Sequence, residues 1–212
     1  MQQELFDTQG VDEGIQLNMK DADVSYYPSF LLADQALHYF NVLSQQLTWR
    51  EEHIQLFGKL FKVPRLQAWY GDDDASYRYS NLSMQPNNWT GSLLELKALC
   101  EHKTQHSFNS VLANWYRDGQ DSMGMHADNE PELGHRPCIA SLSLGQERTL
   151  VFAHKHSKEK LRLPLASGSL LIMKGKTQEC WLHGIAKTKR PLLGRINLTF
   201  RSIINQGGIG LF

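Results

Sequence analysis

A chain of 212 residues is long enough for one well-buried domain and too short for two of ordinary size. It carries 22 Lys and Arg against 22 Asp and Glu, so no global field draws it to nucleic acid, and any such contact must come from local patches. No apolar run is long enough to span a bilayer and no basic-then-apolar leader pattern opens the chain, so neither an anchor nor a secretory signal is expected. The three cysteines, Cys100, Cys138 and Cys180, are an odd number without close pairing; they are expected to be reduced core residues rather than a disulfide framework.

Residues 1–19 are polar and acidic without a sustained period, which predicts a flexible arm. Within it Gln2-Gln-Glu-Leu5-Phe6 resembles the short peptides that dock on bacterial sliding clamps; the alternative is a tail with a chance Leu-Phe pair. A strand is expected over 24–30. Asp34 then offers an N-cap to a helix with Ala36, Leu37, Phe40, Leu43 and Leu47 on its inner side. Residues 49–57 and 61–69 predict a β-hairpin turning at Gly58-Lys59. Thr90 or Ser92 caps a second amphipathic helix with Leu93, Leu96, Leu99 and Cys100 inward. From residue 108 the pattern changes to short strands, over 108–116, 123–128, 138–144, 149–154, 161–165, 169–173, 179–185 and 195–203, divided by Gly, Pro, Asn or charged turns. Many short strands after two helices predict an α+β, mainly β fold: a jelly-roll core, or double-stranded β-helix, with the helices against one sheet. The expected organisation is an arm over 1–19 and one domain over 20–212, divided into helices and a hairpin lid (20–107) and the jelly-roll core (108–204).

His126 and Asp128 are two apart, so on an extended chain both side chains leave from one face. With His183 as a third ligand they would form the two-histidine, one-carboxylate face that leaves coordination positions open, as in non-haem Fe(II) oxygenases. Arg195, Asn197, Thr199 and Arg201 alternate with Ile196, Leu198 and Phe200. Taken alone, that reads as a surface strand with its polar face in water. Beside a metal triplet it acquires a purpose: Arg195 and Arg201 are candidates to grip the two ends of a dicarboxylate, since a planar guanidinium binds a carboxylate bidentately. Asn114 and Tyr116, two apart on an earlier strand, would add neutral hydrogen bonds.

The set Asn114-x-Tyr116, His126-x-Asp128, His183 and Arg195-x-Asn-x-Thr-x-Arg201 resembles the AlkB family of Fe(II)/2-oxoglutarate dioxygenases, which remove alkyl groups from nucleic-acid bases. The resemblance runs from about residue 57 to 203. It implies that His126, Asp128 and His183 hold Fe(II). Asn114, Tyr116, Arg195 and Arg201 would bind 2-oxoglutarate, with Asn197 and Thr199 nearby. It also implies O2 as the other cosubstrate and succinate, CO2 and formaldehyde as products. The implied substrate is 1-methyladenine or 3-methylcytosine in DNA, duplex foremost and single-stranded as well. The same chemistry on RNA or a protein side chain is the first alternative, and a non-catalytic nucleic-acid-binding module the second. A monomer is expected, cytoplasmic and nucleoid-associated in a bacterium or nuclear in a eukaryote.

A flipped base needs stacking walls and a partner along its edge. Tyr79 matches the family's stacking aromatic, Tyr77 faces the same way on an extended chain, and Glu130 matches an acidic residue that contacts the base edge. For the tyrosines the alternative is ordinary half-buried strand aromatics. Residues 54–59 followed by Val63-Pro64-Arg65 resemble the finger hairpin of the family member that prefers duplex DNA. Phe57 would then wedge into the stack, or else bury itself under the next loop, and Lys59, Lys62 and Arg65 would meet phosphates. Lys187, Lys189 and Arg190 form a second basic patch, or a solvated loop. Residues 157–160 are shorter than the basic loop of that duplex-preferring relative, which weakens the expected grip on the complementary strand.

Overall fold

The computed structural model describes residues 14–204 other than 57, 74, 76, 80 and 81; at 54–56, 59, 77–79 and 82–84 it describes the backbone alone. Leu5, Phe6 and Phe57, and the side chains of Tyr77 and Tyr79, therefore lie outside the described residues. In chain order the elements are β1 (Ile15–Gln16), β2 (Asp23–Tyr27), α1 (Ala33–Gln46), β3 (Arg50–Leu56), β4 (Lys59–Gly71), β5 (Tyr77–Tyr79), β6 (Leu82–Met84) and α2 (Gly91–Thr104). There follow β7 (Ser110–Tyr116), β8 (Met123–His126), a 3-10 turn (Pro131–Leu133), β9 (Ile139–Gly145), β10 (Arg148–His154), β11 (Lys160–Leu165), β12 (Leu170–Lys174), α3 (Thr177–Cys180), β13 (Trp181–Ile185) and β14 (Arg195–Arg201).

Strand alternation decides the layers. An eight-stranded antiparallel sheet runs β1-β2-β12-β9-β14-β7-β4-β3, and a four-stranded one runs β11-β10-β13-β8. On the outer face of the large sheet Val111, Ala113, Ala140, Leu142, Leu144, Leu198 and Phe200 pack against Ala36, Tyr39 and Leu43 of α1 and Leu93, Leu96 and Cys100 of α2. Between the sheets, Val24, Tyr26, Ile139, Leu171 and Met173 meet Leu150, Phe152, Leu163, Leu165, Trp181 and Ile185. Burying each such Leu, Phe or Ile contributes about 1.5–3 kcal/mol, so the two apolar layers are what hold the sheets and helices in place. This is the expected jelly roll with helices on one sheet. Among the described residues no helix is long and apolar enough to cross a membrane.

Several local expectations are corrected. Residues 15–19, expected in the arm, are built into the fold: β1 pairs with β2, and Met19 is buried between the sheets. Helix α1 starts one residue before Asp34, with the Gln35 side chain accepting the Leu32 N–H at 3.0 Å, so Asp34 sits in the first turn. Leu37 is 59% exposed because the buried stripe follows Ala36, Tyr39 and Leu43, and Leu37 is a third of a turn off it. At α2 the cap is Thr90 rather than Ser92; its Oγ1 accepts the Leu93 N–H at 3.3 Å. The β3–β4 hairpin closes with Leu56 opposite Lys59, one position earlier than expected, around Gly58 at φ 75°, where glycine is favoured. Residues 177–180, expected to include the start of a strand, form the short α3. The Thr177 hydroxyl there accepts the Asp23 N–H at 3.0 Å and ties the turn to β2.

Candidate active site

The polar face of β14 is not in water. Its neighbours β9 and β7 place Arg195, Asn197 and Thr199 opposite Gly145, Ser143 and Ser141 on one side and opposite Tyr116, Asn114 and Leu112 on the other. All three side chains are buried in the space between the sheets. Across that space β13 and β8 pair with His183 directly opposite His126, so the register itself brings the two imidazoles to 4.4 Å between ring centroids. Asp128 comes just after β8, and its backbone N–H donates to Gln178 Oε1 of α3 at 2.9 Å.

His126, Asp128 and His183 bring one ligand atom each to within 4.8 Å of one another. His126 Nδ1 lies 3.0 Å from Gly124 O, which leaves Nε2 as the free lone pair. His183 Nε2 is 3.6 Å from Asp128 Oδ2. Burial, helped by the charge of neighbouring His126, pushes the His183 imidazole down to about 4. Burial of Asp128 would raise its carboxyl, but Arg201, His183 and His126 outweigh that and hold it below the usual carboxylate range. At neutral pH the site therefore offers a neutral imidazole and an ionised carboxylate, the forms a divalent metal requires. Asp128 is also ion-paired with Arg201, Oδ1 to Nη2 at 2.5 Å.

Next to this triad lie two arginines whose guanidinium donors are only partly engaged among the described residues. Arg195 is 1% exposed; Nη2 donates to Ser143 Oγ at 2.9 Å, Tyr116 lies under the guanidinium at 5.1 Å, and Nε and Nη1 have no hydrogen-bond partner among the described residues. Burial pushes its pKa down to about 10. Arg201 Nε is likewise without a partner among them. Leaving a buried charged donor unsatisfied costs several kcal/mol, and an anionic oxygen arriving there would relieve it. That is the fit expected of a small dicarboxylate beside a metal. Asn197 differs from the arginines: Nδ2 donates to Ser141 Oγ and Leu142 O, and Oδ1 accepts from Thr199 Oγ1, so its amide is already engaged within the protein.

Arg201 is also a wall of an adjoining open cleft of about 400 Å³. Trp69, Gln67, Asn87, Leu112 and Glu130 line it as well, and Glu130 Oε2 is buried without a partner among the described residues. Glu130 thus lines a cleft that shares Arg201 with the pocket holding the triad. The β5–β6 hairpin is present, with Tyr77 opposite Met84 and Tyr79 opposite Leu82. Lys187, Lys189 and Arg190 are exposed, and the chain there is pinned to the β7–β8 loop by Thr188 N–H donating to Gly119 O at 2.8 Å. Arg65 and Lys62 do not behave as expected. Lys62 pairs with Glu51 at 2.5 Å, and Arg65 turns inward to donate to Asn114 Oδ1 and Ser122 O.

Sequence reasoning did not pick out Gln178, Gln67, Trp69 or Arg148. Arg148 donates to the carbonyls of Asp118, Asp121 and Ala186 and so fastens the β7–β8 loop to the end of β13. None of the four carries a local signal, because each acts on a residue distant in the chain. A second group, Asp21, His154 and Cys180, also gathers potential ligand atoms within 4.8 Å. There His154 Nδ1 accepts N–H groups from His156 and Ser157 at 3.2 and 2.9 Å. Nε2, 3.9 Å from Asp21 Oδ2, then carries the proton and is a donor rather than a lone pair for a metal.

Residues 23–201 match the family described as the 2OG-Fe(II) oxygenase superfamily. The chain belongs to that superfamily and, within it, to the AlkB family. It is 38% identical over 190 residues to the alpha-ketoglutarate-dependent dioxygenase alkB homolog 3 of Mus musculus, covering 85% of this chain and 66% of that protein. It is 43% identical over 159 residues to the DNA oxidative demethylase ALKBH2 of Homo sapiens, covering 71% of this chain and 61% of the relative. The chain thus spans somewhat under two thirds of the length of these relatives. The solved structure of OsALKBH1 superimposes with a TM-score of 0.62 at 18% identity, covering 84% of this chain and 97% of that one, a likeness of fold.

Proposed function

We propose that this chain is an Fe(II)- and 2-oxoglutarate-dependent dioxygenase that demethylates N-alkylated bases such as 1-methyladenine and 3-methylcytosine in DNA. The observation that carries this reading is the adjacency of the His126–Asp128–His183 triad, the Arg195 and Arg201 donors that have no partner among the described residues, and the cleft that Arg201 shares with Glu130. The named activity of the ALKBH2 relative, DNA oxidative demethylation, supports the substrate class.

In this reading His126 Nε2, Asp128 and His183 hold the metal, and Arg195, Arg201, Asn114 and Tyr116 hold 2-oxoglutarate. Bound Fe(II) with 2-oxoglutarate and O2 supplies the oxidation of the alkyl carbon, giving succinate and CO2, and the hydroxylated methyl group leaves the base nitrogen as formaldehyde. The chain's own work is positioning. Gln178 fixes the backbone of Asp128, the Gly124 carbonyl fixes the His126 tautomer, and Phe152, packed at 5.9 Å from the His183 ring, stiffens the third ligand. Arg201 couples the halves of the site, touching Asp128 on one side and the cleft on the other. Glu130, with a buried carboxylate oxygen that has no partner among the described residues, offers an acceptor to the exocyclic amine of a flipped base. Lys187, Lys189 and Arg190 supply exposed positive charge for the phosphate backbone.

The test is a panel of methylated and unmethylated single- and double-stranded DNA and RNA oligonucleotides, with succinate and repaired base measured together. Stoichiometric succinate and repaired base from methylated DNA, abolished by Asp128→Ala, is the expected outcome. Iron-loaded protein that leaves every methylated strand unchanged would end the repair reading, and turnover confined to RNA would redirect it.

A further inference from the structure

A hydrogen-bonding role for Asn114 towards 2-oxoglutarate is part of the proposed function, and the role inferred for its neighbours rests on that reading. Asn114 is fully buried on the inward face of β7, and its amide is held asymmetrically. Oδ1 accepts from Arg65 Nε at 2.6 Å and from Gln67 Nε2 at 3.0 Å, whereas Nδ2 is buried and has no partner among the described residues. A guanidinium has donors only, so the atom 2.6 Å from Arg65 Nε has to be the amide oxygen; the flipped amide would set two N–H groups against each other. Arg65 is held in turn. Its Nη1 donates to Ser122 O at 3.1 Å, and the same backbone is closed by Ser122 N–H donating to Pro64 O at 2.8 Å. Gln67 stands directly opposite Asn114 in the β4–β7 pairing, so its donor arrives by strand register. The partners of the Arg65 guanidinium are thus neutral oxygens of the protein, in place of the phosphate that the hairpin pattern suggested.

We propose that Arg65, with Gln67, is a positioning residue for the cosubstrate: the two donors lock the Asn114 amide so that its NH2 group is presented to a carboxylate oxygen of 2-oxoglutarate. An amide left free to turn would offer its oxygen to the anion half the time and would have to be ordered on binding. Locking it in advance removes that cost and the repulsive orientation together. Arg65 never touches the cosubstrate and acts only through Asn114.

A double-mutant cycle separates this from a general structural role. The full chain, loaded with Mn(II), is titrated calorimetrically with 2-oxoglutarate as wild type, Arg65→Met, Asn114→Ala and the double variant. Each single change is expected to weaken 2-oxoglutarate about tenfold, the factor that goes with one hydrogen bond to a charged group. The double variant is expected to be no weaker than Asn114→Ala alone. Losses that multiply in the double variant overturn the proposal. So does an equal fall in Mn(II) affinity on Arg65→Met, which would mark a structural residue. A loss of affinity for unmodified duplex DNA with a shallower salt dependence would mark a phosphate contact and overturn it as well. If Arg65→Met fails to fold, Gln67→Leu enters the same cycle, where the same non-additivity with Asn114→Ala is expected and additivity overturns the lock. A wild-type protein that binds no 2-oxoglutarate at all removes the proposed function itself, a result distinct from additive losses in a protein that binds it.

Discussion

At the scale of the residue, the site depends on groups that hold other groups. Gln178 is 1% exposed, and its Oε1 accepts the Asp128 N–H. Gln178→Leu keeps the volume and removes that acceptor, leaving the Asp128 carboxylate free to drift. Mn(II) affinity is expected to fall about 10–100-fold, as for other outer partners of metal ligands, and metal titration of the purified variant measures it. Asp121 is a different kind of residue, structural and charged. Its burial would raise the carboxyl, but hydrogen bonds from the Arg117 backbone and side chain, with the charges of Arg117 and Arg148, bring it below the ordinary value. A depressed carboxyl binds protons less tightly in the folded state than in the unfolded chain. Its contribution is therefore complete above the ordinary value near 4 and is lost as pH falls through the lower folded value. Asp121→Asn is expected to cost about 1–3 kcal/mol at pH 7, towards the low end because Arg117 is partly exposed, with the gap narrowing below about pH 4. Urea unfolding midpoints of the two proteins at pH 7 and in the acid range check this.

Elements are positioned by close approaches as well as by pairing. Gly119, in the β7–β8 loop, lies against the segment carrying Lys187, Lys189 and Arg190. A Cβ there would stand 2.6 Å from Thr188 O and 2.7 Å from Arg190 O, both backbone atoms that cannot move aside cheaply. Gly119→Ala is expected to cost about 1–3 kcal/mol by pushing the two loops apart. That would be read as a fall of several degrees in melting temperature, with weaker binding of duplex DNA if the basic segment carries the phosphate contacts. The helices and their inner stripes were legible in the chain because a 3.6-residue period is local. Leu37 was not, since a helix with apolar residues on two flanks leaves the sheet to choose between them. Nor was α3, a single turn whose anchor, Thr177, binds β2 at a separation of 154 residues.

For the molecule as a whole, the Arg195 and Arg201 donors without a partner among the described residues and the clustered ligand atoms of the triad predict that ligands bound there would stabilise the folded state. Mn(II) with 2-oxoglutarate at about a hundred times the dissociation constant is expected to add about 2.7 kcal/mol. In a domain of this size that is about 5–10 °C of melting temperature, and EDTA should reverse it. A thermal shift from 2-oxoglutarate without metal as large as that with it would count against a shared site. The chain alone determined the mainly β class, the two helices, the His126–Asp128 pair and the polar alternation of residues 195–201, because those signals lie within a few residues of one another. His183 and the strand of residues 195–201 took on their candidate roles through the metal triplet and the resemblance to a family. Tertiary structure alone decided that the polar face of β14 is buried, that Gln178 steadies Asp128 and that Arg65 points inward to Asn114. These contacts join residues roughly fifty to ninety positions apart, set by the register of paired strands and the way two sheets close on each other, and no local pattern of residue types encodes that.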